Sequence, residues 1–94
     1  MGRLTNNEKL VFAKTLVDAD TIESIHVNYT NYKGVTKKRH IRPIKIWQGS
    51  TEWHPEECFL MTAYDIDKES NRDFKVLDFD FDSVNDEDIE FIRH

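Results

Sequence analysis

The sequence predicts a mainly β domain in which a small, bent barrel follows one helix and precedes a shorter one. Apolar and polar residues alternate along residues 25–30, as in a strand with one buried face. The alternation shifts by one position at Pro43 and again after Val76. Two such shifts in long strands are typical of strands that bend at bulges to form a barrel. We expect residues 22–82 to form this barrel, within one domain that spans residues 1–94.

Helix-start signals lie on both sides of the predicted barrel. Thr5 and Glu8 have the spacing of a capping box and precede apolar residues at helical intervals. The acidic residues that follow oppose the helix dipole, so the first helix is expected at about residues 6–19. A similar start at Ser83 predicts a short C-terminal helix at about residues 84–93.

Two hairpins are expected within the barrel. The strand that begins at Ile25 leads to a turn at Gly34, where glycine permits a positive φ, and to a second strand that continues to Trp47. Residues 59–64 are apolar on both faces, as in a central strand, and a polar hairpin loop follows over residues 67–71.

The composition favours a folded domain without membrane spans or an internal disulfide. Hydrophobic residues make up 38% of the chain, which is enough for a folded core. The N-terminal residues are polar and no stretch is long enough to span a membrane, so we expect a cytoplasmic protein without a membrane partner. Cys58, the single cysteine, cannot form an internal disulfide.

A basic segment, Lys33 to Lys45, is the strongest functional signal. It contains six of the 13 Lys and Arg residues, one His, and none of the 18 acidic residues. Because the whole chain carries −5, the remainder carries −11. A basic segment on an acidic chain indicates an anionic ligand.

Four short motifs follow one another between about residues 25 and 80. They run from Val27 to Gly34, from Arg39 to Pro43, from Phe59 to Asp65 and from Arg72 to Phe74. In order and spacing they resemble the WYL domain, a small SH3-like or Sm-like barrel found mostly in bacterial and phage regulators. The resemblance implies binding of nucleic acid or nucleotide-like effectors through basic and polar residues of the barrel, and it places Tyr29 in that set.

The chain also departs from the WYL pattern. Phe59, Leu60 and Met61 stand where the family has Trp-Tyr-Leu, and Asp78 stands where the family has a second arginine. We expect no helix-turn-helix before the barrel, because about twenty residues cannot supply two packed helices.

Strand alternation divides the basic segment into two faces. Lys38, His40 and Arg42 share one face and could converge on a phosphate. Arg39 shares the other face with Ile41, where a half-buried guanidinium needs a carboxylate or phosphate partner. The alternative is a solvated edge strand, whose charges prevent aggregation or pair with the acidic C-terminus.

Further binding candidates lie outside this segment. Arg72 could form a bidentate contact with phosphate, or could pair with Asp65 or Asp67 across its hairpin. Trp47 and Trp53 would suit base stacking, although Trp53 could instead cap an open end of the barrel as part of the core.

The sequence favours neither a metal centre nor an enzyme. His26, His40 and His94 lie on separate predicted elements, whereas zinc needs three or four converging ligands, so we expect no metal and no cofactor. Cys58 has no histidine placed as its base, and no acid and base pair has a recognisable spacing. The expected function is therefore a non-enzymatic module that binds a nucleotide-type or short single-stranded nucleic-acid ligand. The alternative is an interaction barrel that forms homo-oligomers without a small ligand.

Overall fold

The computed structural model describes residues 3–50 and 57–92. Within these residues one α-helix precedes six β-strands. The helix and strands are α1 (Asn6–Asp18), β1 (Ile22–Thr30), β2 (Thr36–Gly49), β3 (Cys58–Asp65), β4 (Ser70–Lys75), β5 (Phe79–Asp80) and β6 (Ile89–Phe91). The mainly β class and the N-terminal helix are confirmed.

The bounds of α1 follow from its caps. The Glu8 amide donates to the Thr5 hydroxyl at 3.2 Å, and the Thr5 amide donates to the Glu8 carboxylate at 3.0 Å. This is the predicted capping box, which satisfies amides that have no partner inside the helix. At the other end Ala19 is extended, and α1 buries Ala13 and Leu16 against the sheet.

The strands form one antiparallel sheet in the order β4-β3-β2-β1-β5, and β6 also pairs with β1. Gly34, with φ of 81°, makes the turn between β1 and β2, as predicted. The sheet is not closed by strand pairing in the described part of the chain, unlike the predicted barrel. The sheet nevertheless curls. The Lys75 amide of β4 donates to the Tyr29 hydroxyl of β1 at 2.9 Å, although β3 and β2 lie between these strands in the sheet order.

The two predicted phase shifts have different structural origins. The β2–β3 register shifts between Pro43 and Lys45, which confirms a bulge at the proline. The shift after Val76 is a 3-10 turn over Val76–Asp78, which separates β4 from β5. The second shift therefore marks a break between strands and not a bend within one.

The predicted C-terminal helix is wrong for the described residues. Asn85 and Asp88 do form a capping box, but it caps only the 3-10 turn Asp86–Asp88. The chain then pairs with β1 as β6, because β1 offers an unpaired edge beside β5. Strand pairing with that edge satisfies the backbone groups that a helix would otherwise have satisfied internally.

The core lies between the curled sheet, α1 and the aromatic residues near β5. Ile25, Val27 and Tyr29 of β1 are buried, as their alternation predicts. Tyr29 packs against Phe74 and Phe79, with ring centroids 4.9 and 4.8 Å away. Among the described residues, no helix has the length and apolar character that a membrane crossing requires.

Candidate functional site

The three side chains predicted to converge on a ligand each face a carboxylate. The pairs, by their closest N and O atoms, are Lys38 with Asp88 at 3.5 Å, His40 with Glu90 at 3.9 Å, and Arg42 with Glu23 at 3.9 Å. Two of the carboxylates belong to the C-terminal segment and one to β1. This face of β2 therefore matches the alternative interpretation, in which its charges pair with acidic residues of the chain.

On this face of β2, each of these three side chains has a carboxylate within 4 Å. The pKa of Asp88 is held below its usual value, chiefly because the Asn85 amide donates to its carboxylate, and the Lys38 ammonium acts in the same direction. A phosphate approaching here would compete with these carboxylates for the basic side chains. The role of Lys38, His40 and Arg42 in anion binding stays a prediction.

Arg39 lies on the opposite face of β2, toward the core. Its side chain is 14% exposed, and its Nη1 lies 3.6 Å from Oδ2 of Asp65, which is 1% exposed. The sequence predicted a half-buried Arg39 with an anionic partner; the side chain is more deeply buried than that and faces a carboxylate. Lys68 donates its amide to Oδ1 of Asp65 at 3.1 Å. Neither Arg39 Nε nor Asp65 Oδ2 has a hydrogen-bond partner among the described residues.

Arg39 and Arg72 line one cavity of about 240 Å³. The curl of the sheet brings together the ends of β1 and β4, together with the turn after β1. The other lining residues are Tyr29, Asn31, Tyr32, Asp73 and Phe74. Three predicted site residues, Tyr29, Arg39 and Arg72, are thus collected on one concave surface.

Arg72 makes neither of the ion pairs proposed for it from the sequence. It lies opposite Ala63 on β3, while Asp65 is occupied by Arg39. The described residues give Arg72 no carboxylate within 4 Å, and Arg72 is exposed at the cavity. Its guanidinium is therefore available to an external anion.

Tyr29 forms the buried floor of the cavity. Burial is the main cause that raises its pKa to about 12, although the hydrogen bond from the Lys75 amide opposes this shift. Tyr29 therefore remains neutral at physiological pH. Its hydroxyl connects β1 to β4 and helps to set the spacing of the two arginines.

Trp47 supports the cavity indirectly. Its indole Nε1 donates to the Thr62 hydroxyl at 2.9 Å, and that hydroxyl donates to the Asp73 carboxylate at 2.6 Å. The indole also covers Gly49, where an added Cβ would overlap the ring. Trp47 is thus linked through Thr62 to Asp73, and its role in base stacking stays a prediction. Trp53 lies outside the described residues.

A second cluster, which the sequence analysis missed, lies on the outer face of the β1–β2 hairpin. His26 and His40 are register partners, and their rings stack with centroids 3.9 Å apart at 15°. Ser24 lies 3.0 Å from Nε2 of His40 and donates to Glu90 at 3.2 Å. The two histidines are equally distant in sequence from Lys33, at the centre of the turn, so the hairpin register contained the signal that would have paired them.

The chain matches no protein-family model, and comparisons with curated proteins and with solved structures also give no match. The resemblance to the WYL domain therefore stays a prediction.

Proposed function

We propose that the protein is a non-enzymatic binding module that holds a phosphate-bearing ligand in the cavity lined by Arg39 and Arg72. One observation carries this proposal: Arg72 borders a concave surface beside a second arginine and has no carboxylate partner among the described residues. An arginine fork matches phosphate oxygens bidentately, and two forks on one cavity favour an anion over a neutral ligand.

The size of the cavity limits how much of a ligand it can enclose. Its volume of about 240 Å³ is below the range of roughly 300–1,000 Å³ typical of small-molecule pockets. We infer that the phosphate and its ester link enter the cavity while the rest of the ligand lies outside. Tyr32, at the rim and 53% exposed, offers a ring on which a base can stack.

The charge distribution favours a nucleotide or a short single strand over duplex DNA. The surface carries many carboxylates, and the acids that pair with Lys38, His40 and Arg42 remove the basic face that a long duplex would need. A ligand that presents one or two phosphates to Arg39 and Arg72 avoids most of this repulsion.

The WYL resemblance supports the same proposal. It implies nucleotide-like ligands, and the motifs quoted for it include Tyr29, Arg39 and Arg72, all of which line the cavity. The curl that joins Tyr29 to β4 is compatible with an SH3-like or Sm-like barrel. A cytoplasmic, regulatory or phage-related setting rests on the resemblance and on sequence composition, and the non-enzymatic assignment rests on the absence of a recognisable catalytic motif in the sequence.

Isothermal titration with matched ligands and matched variants tests the proposal. AMP should bind more tightly than adenosine, and a short 5′-phosphorylated oligothymidylate more tightly than its dephosphorylated form. Arg72→Gln should weaken AMP binding about tenfold or more, since one charge-assisted hydrogen bond contributes about 1.5–3 kcal/mol. Arg42→Gln is the control, because it removes the same charge from the opposite face.

Two results would contradict the cavity as the site. The first is equal binding of AMP and adenosine by the unmodified protein. The second is a larger loss of AMP affinity in Arg42→Gln than in Arg72→Gln, which would place the anion on the outer face of β2.

A second candidate function is homo-oligomerisation along the β6 edge. A groove of about 960 Å³ is lined by Ile22, Ile89, Phe91 and Ile92 together with charged residues, and Phe91 is 52% exposed. Exposed apolar residues beside an edge strand favour association. Light scattering over a range of concentrations tests this candidate, with Phe91→Ser as the variant expected to shift an oligomer toward monomer. A monomer at every concentration would exclude it.

A further inference from the structure

We infer that His26, His40 and Glu90 form a binding site for a divalent transition-metal ion, most suitably Zn²⁺, that ties β6 to the β1–β2 hairpin. One ligand atom from each of the three side chains lies within 4.8 Å of the other two. The three residues belong to three different strands, so the cluster is assembled only by the fold. This site is separate from the arginine cavity and lies on the opposite face of the hairpin.

The cluster has the donor atoms that Zn²⁺ prefers. Imidazole nitrogen and carboxylate oxygen bind Zn²⁺ at about 2.0–2.2 Å, which places tetrahedral ligand atoms roughly 3.3 Å apart. His40 Nε2 and Glu90 Oε1 are 3.9 Å apart, so these two atoms need to approach by only about half an ångström. Glu90 is 53% exposed and has the freedom to make this movement.

His26 offers an unused nitrogen. Among the described residues it makes a ring stack with His40 and no hydrogen bond. Its ring borders a cavity of about 190 Å³ that Asp88 also lines, which gives a cation a route to the cluster. Rotation of the stacked rings about their Cβ–Cγ bonds would turn both nitrogens toward one ion.

Ser24 orients Glu90 and contacts His40. It is 1% exposed and lies opposite Glu90 in the β1–β6 register. Its hydroxyl donates to Glu90, so the hydrogen between Ser24 and His40 comes from Nε2 of His40. For a metal ion to bind at that nitrogen, the neutral ring must carry its hydrogen on Nδ1 instead, while Ser24 continues to hold the carboxylate. Buried partners of this kind commonly orient metal ligands.

Three protein ligands leave at least one coordination position for water. A Zn²⁺ ion bound in this way would cross-link the three-residue strand β6 to β1 and β2. Mg²⁺ and Ca²⁺ prefer oxygen ligands and should not bind to two imidazoles. We therefore expect the site to bind Zn²⁺ or Ni²⁺ in preference to Mg²⁺.

Calorimetric titration of the full, untagged chain with ZnCl₂, NiCl₂ and MgCl₂ tests the site. We expect one equivalent of Zn²⁺ or Ni²⁺ to bind, and no Mg²⁺. His26→Gln and His40→Gln should each lower Zn²⁺ affinity at least tenfold, and Ser24→Ala should lower it about tenfold. Glu69→Gln is the control, since it removes an exposed acidic side chain from the turn between β3 and β4 and should leave the affinity unchanged.

A measurement on the unsubstituted protein keeps the test valid if a variant does not fold. In spectra of ¹⁵N-labelled imidazoles, Zn²⁺ should shift the ring signals of His26 and His40 and leave those of the other two histidines in place. Equal shifts of all four histidine signals, no shift of the His26 and His40 signals, or unchanged Zn²⁺ affinity in folded His26→Gln and His40→Gln would overturn the proposal.

Discussion

Replacing Arg39 with methionine should destabilise the protein severely. The substitution keeps an unbranched side chain of similar length but leaves the Asp65 carboxylate, which is 1% exposed, without its cation. At the 3.6 Å separation of Nη1 and Oδ2, the charge attraction is about 4.6 kcal/mol at an effective dielectric constant of about 20. Removing one partner of a buried pair typically costs about 3–5 kcal/mol, because the other charge remains desolvated.

That cost is large compared with the stability of a small domain. At about 0.05–0.15 kcal/mol per residue, a chain of 94 residues has a free energy of unfolding of roughly 5–14 kcal/mol. Arg39→Met should therefore lower the urea midpoint strongly or leave the chain unfolded at 25 °C. Equilibrium urea unfolding followed by circular dichroism measures the change.

A double-mutant cycle separates the buried charge from lost packing. Asp65→Asn removes the charge and retains a carbonyl oxygen that can accept from the Lys68 amide. Adding it to Arg39→Met should restore the stability to within about 2 kcal/mol of the unsubstituted protein. If Arg39→Met alone costs less than about 1 kcal/mol, or if the two changes are simply additive, the argument for a buried pair is refuted.

Three further predictions concern other parts of the fold. Gly34→Ala should lower the free energy of unfolding in urea by about 1 kcal/mol, and Gly34→Asn should lower it less. Gly34 has φ of 81° and an added Cβ would meet nothing within 4 Å, so the penalty is purely conformational. Thr62→Val should cost about 1 kcal/mol and shift the fluorescence of Trp47, since the indole loses its acceptor; an unchanged spectrum would contradict this. Because its folded pKa of about 12 exceeds the usual 10.0, Tyr29 contributes stability that is fully present below pH 10 and lost as the pH rises toward 12. Unfolding experiments across that range should show a smaller decline in Tyr29→Phe than in the unsubstituted protein.

Local sequence signals predicted much of the fold, because local physics determines those elements. Thr5 and Glu8 placed the start of α1, and Gly34 placed the first turn. Pro43 marked the bulge in β2, since proline has no amide to donate to a ladder. In each case the residue type itself imposes the conformation.

The C-terminal segment could not be predicted in this way. Ile89 and Ile92 would share one face of a short helix, whereas Ile89 and Phe91 share one face of a short strand, and the capping box before them does occur in the structure. The segment forms a strand because it pairs with a free edge of β1, which lies more than sixty residues earlier in the chain. Long-range pairing of this kind overrides local propensity.

The candidate site was predicted in part. The sequence identified Tyr29, Arg39 and Arg72, and strand alternation correctly assigned Arg39 to the inner face. It could not show that Lys38 and His40 would meet carboxylates of the C-terminal segment, because that contact depends on where β6 docks. Within the basic segment, Lys38, His40 and Arg42 thus lie near carboxylates on the outer face, whereas Arg39 pairs with Asp65 on the inner face.

The most direct test of the account is an NMR titration that observes the arginine Nε–H signals with AMP and with adenosine. We expect AMP to shift the signals of Arg39 and Arg72, adenosine to leave them in place, and neither ligand to affect Arg42. Shifts confined to Arg42, or no arginine shift at millimolar AMP, would contradict the assignment of the cavity as a phosphate site.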